Sequence, residues 1–135
     1  MIVDTSALIA YFDADEPDQA RVAAVLESTE ESLVVSPYVI AEVDYLLSSR
    51  LGPDYAVAAL RQLASGAWEL AEIGVKELQD IADFAERYSD FPIGAADASN
   101  AVLAERYGTD KIATLDHRLF RAIKTPAGRP LGVLP

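Results

Sequence analysis

Apolar residues follow two rhythms along this chain. Short runs, Ile2-Val3, Leu33-Val34-Val35, the alternating Trp68–Ile73 and Lys111–Leu115, read as buried or half-buried strands. Between them, apolar residues recur at helical spacing, as in Val22-Val25-Leu26, Ile40-Val43-Leu46-Leu47, Val57-Leu60-Leu63 and Leu78-Ile81-Ala82-Ala85. Helices are therefore expected over about 7–11, 18–28, 37–51, from Pro53 to near Gly66, and over 75–88, 95–107 and 119–123. Leu131–Leu134 reads as a last edge strand. Ser36-Pro37 is a strong helix start, with serine as cap and proline at the first helical position. Gly52 and Gly108 are the matching stops, and Phe91-Pro92-Ile93-Gly94 breaks the chain between two helices. Strands alternating with helices predict an α/β fold: a short parallel sheet of four to five strands with helices on both faces.

The 135 residues fit one domain, spanning 1–135. No cysteine is present, which excludes disulfides, thiolate metal sites and cysteine nucleophiles. A single histidine, His117, excludes catalysis by a histidine pair and any metal site needing two imidazoles. No apolar run is long enough to span a membrane, and the N-terminus lacks a basic region followed by a long apolar stretch. The expectation is a cytoplasmic protein without a membrane partner.

The net charge of -11 argues against a general nucleic-acid coat, which would be basic. The charge is uneven, however. Residues 1–49 hold ten acids and one base, whereas residues 106–135 hold six bases and two acids. Arg118, Arg121, Lys124 and Arg129 lie in that basic end and are candidates for phosphate contacts. The acids at 13, 15, 16, 18, 30 and 31 read as a solvated loop and helix-end set, and His117 as an exposed helix-start residue.

Sites in open parallel sheets form beyond the carboxyl ends of the strands. Two acids stand at such ends: Asp4 after Ile2-Val3, and Asp116 after the run ending at Leu115. Each has a hydroxyl two residues away, Ser6 and Thr114, suited to holding a carboxylate in orientation. Two more acids interrupt apolar helix surfaces: Glu42 in VIAEV, and Asp97 in GAADASNA. At about 100° per residue, Asp97 and Asn100 share one helix face. Four carboxylates in a chain without cysteine form an oxygen-only donor set, which suits Mg²⁺ or Mn²⁺.

Four segments carry a family resemblance: MIVDTSALI at 1–9, SPYVIAEV at 36–43, FPIGAADA at 91–98 and IATLDHRLF at 112–120. In this order and spacing, the chain resembles PIN-domain ribonucleases of the VapC toxin type. The resemblance implies a PIN-like fold and places Asp4, Glu42, Asp97 and Asp116 on the family's four acidic positions, with Ser6 and Thr114 on its hydroxyl positions. The family often has another acid three residues after the last, where this chain has Leu119. It further implies a Mg²⁺-dependent endoribonuclease holding one or two ions, with Asp4 and Asp97 as the first metal ligands. Glu42 and Asp116 would bind a second ion or activate water, and Asn100, one turn from Asp97, is a candidate for a hydrogen bond to phosphate or carboxylate. The expected products carry 5′-phosphate and 3′-hydroxyl ends. The partners implied are RNA, a VapB-type antitoxin and a second copy of the chain in a homodimer.

Two other readings compete: a catalytically inactive RNA-binding module of the same fold, and a receiver-like Mg²⁺-dependent phospho-acceptor domain. The receiver needs an Asp after the third strand, but Gly74-Val75 follow Ile73 here, and no Lys-Pro pair closes the chain. The Asp-x-Asp of haloacid dehalogenase phosphatases is broken by Ser6, and no phosphate-binding glycine loop or serine-hydrolase elbow is present.

Overall fold

The computed structural model describes residues 1–135. Five strands, β1 (Ile2–Val3), β2 (Val34–Val35), β3 (Glu69–Leu70), β4 (Lys111–Ala113) and β5 (Gly132–Leu134), form one sheet in the order β3-β2-β1-β4-β5. All four pairings are parallel, as the alternation of strands and helices predicts. Seven helices connect them: α1 (Thr5–Phe12), α2 (Gln19–Ser28), α3 (Pro37–Leu51), α4 (Pro53–Leu63), α5 (Val75–Arg87), α6 (Ala95–Arg106) and α7 (His117–Ala122).

The strand pleat sorts the apolar residues into two cores. Val3, Val35 and Ala113 point into one, with buried residues of α1, α2, α3 and α4. Ile2, Val34 and Ile112 point into the other, with α5, α6 and α7. Helix α6 is enclosed almost all round: Ala96 and every residue from Ala98 to Ala104 are buried. Its alanines let it sit close against its neighbours.

Several boundaries differ from those expected, for local reasons. α1 starts at Thr5 rather than Ala7, because Asp4 is its N-cap and accepts from the Ser6 N–H. β4 stops at Ala113, and α7 already starts at His117, because Asp116 caps it by accepting from the Leu119 N–H. β3 shrinks to two exposed residues. Trp68 lies outside it, half-buried against Tyr11 and Phe12 with ring centroids 5.8 and 6.3 Å apart.

At the amino end of the sheet, Glu31 accepts from Lys111 Nζ and pairs with the N-terminal ammonium at 3.1 Å. The Lys111 hydrogen bond is the main reason its carboxyl drops to about 2. Glu31 is thus part of a tertiary ion pair rather than of a solvated loop set. No helix is long and apolar enough to cross a membrane.

Strand order reverses between β1 and β4. Chain connections leave β1 towards β2 and β3, then return to β4 on its other side. The carboxyl ends of these two strands diverge into helices on separate paths, which leaves a crevice there.

Ile112 is fully buried in the middle of the sheet, whereas Leu70 is exposed on its edge. Ile112→Ala is expected to cost about 2–5 kcal/mol. Leu70→Ala should cost less than about 0.5 kcal/mol. Urea unfolding of the two variants measures both.

Candidate active site

The crevice at the reversal point holds all four acids found in the sequence. It is an open cleft of about 350 Å³ lined by Asp4, Glu42, Asp97 and Asp116, with Ser6, Thr5 and Arg50 among its other walls. β1 delivers Asp4, α3 Glu42, the first turn of α6 Asp97, and the end of the β4 segment Asp116.

Asp4 is only 4% exposed, and its carboxylate is the polar centre of the cleft. Its Oδ2 accepts from the Ser6 and Thr114 hydroxyls, both at 2.8 Å. Its Oδ1 accepts from Asn100 Nδ2 at 2.9 Å. The two hydroxyls in turn accept backbone N–H groups, Ser6 from Leu115 and Thr114 from Asp116. With both hydroxyl protons committed to Asp4, the 3.1 Å contact between Ser6 Oγ and Thr114 Oγ1 is an approach without a shared proton. Burial still raises the Asp4 carboxyl, and the Ser6 and Thr114 hydrogen bonds oppose that rise.

The other three acids each hold one protein donor. Glu42 Oε2 accepts from Thr5 Oγ1 at 2.7 Å, Asp97 Oδ2 from the Gly94 N–H at 3.1 Å, and Asp116 Oδ1 from the Leu119 N–H at 3.0 Å. The second oxygen of each has no protein donor. Asp97 is half-buried, and its carboxyl is pushed up to about 6, first by desolvation and then by the charges of Asp4, Glu42 and Asp116.

No three acidic or imidazole side chains are already drawn together as a finished metal site. The donor chemistry nevertheless fits a hard divalent cation. Asp4 Oδ1 keeps a lone pair beside its single donor, and Glu42, Asp97 and Asp116 each keep an oxygen outside the protein's hydrogen bonds. The neighbouring negative charges that, after burial, help raise Asp97 would be offset by such an ion.

The remaining sequence candidates divide. Ser6, Thr114 and Asn100 all touch Asp4. Arg118 is exposed and lines a groove that shares Asp97 and Asp116 with the cleft. Arg121 and Lys124 are exposed and line neither space. Arg129 is not beside the acids: it pairs with Glu105 at 3.5 Å, near the opposite end of α6 from Asp97. His117 is half-buried rather than exposed, with Nε2 shielded and unpartnered, and it lines neither space. Leu119, at the position where the family often has an acid, is buried in the second core.

Thr5 and Arg50 line the cleft and escaped the sequence reading, and Glu16, expected in a solvated loop set, is half-buried and lines it too. Arg50 had a signal, because Glu42, Leu46 and Arg50 are spaced four apart on one stripe of α3, and all three line the cleft. Glu16 had none, since it comes from the loop before α2.

Residues 1–125 match the family model described as PIN domain. Over all 135 residues the chain is 53% identical to Ribonuclease VapC26 of Mycobacterium tuberculosis, with both chains covered in full. Its fold superposes with a TM-score of 0.80 on Mycobacterium tuberculosis VapC20, a Sarcin-Ricin loop cleaving toxin. That match is at 21% identity and covers 86% of this chain and 89% of the other. The complex VapBC2 of Rickettsia felis, bound to a DNA fragment from its promoter, matches at a TM-score of 0.70 and 16% identity. It covers 99% of this chain and 98% of that one.

Asp97 makes stability depend on pH in a defined direction. The folded state holds its proton up to about pH 6, the unfolded state only to about 3.8. Stability therefore falls as pH rises through that window and stays lower above it. Its share should be on the order of 1 kcal/mol once solvent screening of a half-buried group is allowed for. In chelating buffer at pH 7.5, Asp97→Asn should melt above the wild type, and added Mg²⁺ should raise the Tm of the wild type more than that of the variant. Thermal melting across pH, with and without Mg²⁺, measures both effects.

Proposed function

Because the chain belongs to the PIN-domain family, within its VapC branch, we propose that it is a metal-dependent endoribonuclease and the toxin of a toxin–antitoxin pair. The observation that carries this reading is the convergence of Asp4, Glu42, Asp97 and Asp116 on one cleft at the strand-order reversal. Full-length identity of 53% to a ribonuclease supports it.

Asp4 and Asp97 would be the first ligands for Mg²⁺ or Mn²⁺, and Glu42 and Asp116 would bind a second ion or activate water. When bound, the cation supplies Lewis acidity that makes water a stronger nucleophile and offsets the charge building on the phosphate. The protein's own contribution is positional. Ser6, Thr114 and Asn100 hold Asp4 in one orientation. Thr5 holds one oxygen of Glu42, leaving the other to orient water and accept its proton. The lone histidine lies outside the cleft, so acid–base catalysis of attack by the RNA's 2′-hydroxyl has no imidazole to use. In this reading water, activated by the cation, is the attacking group, and the products carry 5′-phosphate and 3′-hydroxyl ends.

The same negative cleft explains inhibition by a VapB-type antitoxin. A basic side chain entering it would pair with the half-buried Asp97 and the exposed Glu42 and Asp116 and cover the site. Arg50 is the cleft's own cation, and an incoming arginine or lysine would share the acids with it.

Purified protein incubated with total cellular RNA tests the reading. Cleavage is expected with Mg²⁺ or Mn²⁺ and not in chelator, with product ends that accept ligation as 5′-phosphates. Asp97→Asn and Glu42→Gln should each lower the rate by about 100-fold or more. Cutting that persists in chelator or in both variants would overturn the mechanism.

A further inference from the structure

We propose that the groove beside the acid cleft is a nucleotide subsite. In it, the ring of Phe91 stacks on an unpaired base next to the scissile phosphate, and Arg118 meets the adjoining backbone. This rests on the ribonuclease reading above and specifies how RNA is seated at that site.

The groove has a volume of about 430 Å³ and runs into the cleft, because Asp97 and Asp116 line both. Sites for small molecules span roughly 300–1,000 Å³, so one nucleotide unit fits. It is lined by Phe91 and Pro92 from the α5–α6 connection together with Arg118 and the apolar Leu119 and Ala122. Phe91 is the only aromatic residue lining either space.

The ring is both exposed and held. Phe91 is 41% exposed, so its ring is accessible at the edge of the cleft. Its N–H donates to the Tyr88 carbonyl at 2.9 Å, and its own carbonyl accepts from the Ile93 N–H at 2.8 Å. The ring meets Tyr88 edge to face at 5.9 Å, and Tyr88 packs on the buried Phe84 at 4.9 Å. The Tyr88 hydroxyl also accepts the Lys124 N–H, which ties this support to the chain leaving α7. A ring anchored in this way loses little conformational freedom when a base covers it.

Charge favours stacking over phosphate contacts as the main attachment. Arg118 forms no ion pair within the chain, but Asp90, Asp97 and Asp116 line the same groove. On a molecule of net charge -11, backbone phosphates are poorly recruited by electrostatics alone. Base–aromatic stacking does not depend on the sign of the surrounding field and tolerates any base. A base paired in a duplex has no free face to offer, so the subsite selects unpaired nucleotides.

The test uses a short single-stranded RNA spanning a cut site mapped with the wild type, and a series in which each nucleotide flanking that site is made abasic in turn. For one position, the abasic substrate should lower wild-type kcat/KM by about tenfold. Phe91→Ala should lose the same factor on intact RNA and lose nothing further on that abasic RNA. Phe91→Trp should restore the wild-type value, and Arg118→Ala should make cleavage less sensitive to salt. In chelator, an RNA carrying 2-aminopurine at that position should be quenched on binding the wild type and not Phe91→Ala. Losses that multiply at every position would overturn the proposal, as would full activity in Phe91→Leu, which keeps the packing on Tyr88. Phe91→Ala that cuts normally but escapes inhibition by a protein partner would assign the surface to that partner and overturn it too. A wild type that cuts no RNA overturns the ribonuclease reading itself, an outcome distinct from all of these.

Discussion

An ionised carboxylate in low-dielectric surroundings must be given hydrogen bonds, and Asp4 imposes that demand on this fold. It is met from three directions: Ser6 in α1, Thr114 just past β4, and Asn100 in α6. Because Ser6 and Thr114 also accept the N–H groups of Leu115 and Asp116, the same bonds fix the path by which the chain leaves β4. The position of Asp116 follows from that path, and the position of Asp97 follows from docking α6 close enough for Asn100 to reach. Fold and site therefore share one polar knot.

Around that knot the electrostatics are unfavourable by design of the chain. Five carboxylates, Glu16 among them, face one cleft, and burial first, then the charges of Asp4, Glu42 and Asp116, raise Asp97 to about 6. The arrangement is consistent if a divalent ion is the normal occupant, because a single such charge converts the repulsion into binding affinity. The large negative total then has a second role. It weakens indiscriminate RNA binding, so that substrate is retained where local chemistry compensates.

Much of this could be read from local pattern. The Ser36-Pro37 cap, the small-residue run from Ala95, and the acids at strand ends each report short-range constraints, and each stands where expected. Helix starts moved because of local caps at Asp4 and Asp116, whereas most other departures arise from tertiary packing. Glu31 looked like part of a solvated acidic loop but meets Lys111, 80 positions away. Arg129 looked like an RNA contact but answers Glu105. β3 alternated well enough for six residues, yet only two pair, because its neighbour β2 is itself two residues long. His117 looked exposed because a helix start usually is, but tertiary packing shields its Nε2.

Helix α6 carries a consequence for how such a protein can diverge. Between Ala98 and Ala104 it has no outward side, so a residue one methylene larger would push at once on the sheet and on the Asn100–Asp4 contact. That stretch leaves a narrow corridor for sequence drift, open mainly to exchanges among the smallest residues. The water-facing positions of α2, α4 and α5 carry no such restriction. A lineage built on this scaffold can therefore change its partners and its substrates through those outer helices and through the connection holding Phe91, while the alanine-rich helix behind the acids changes last.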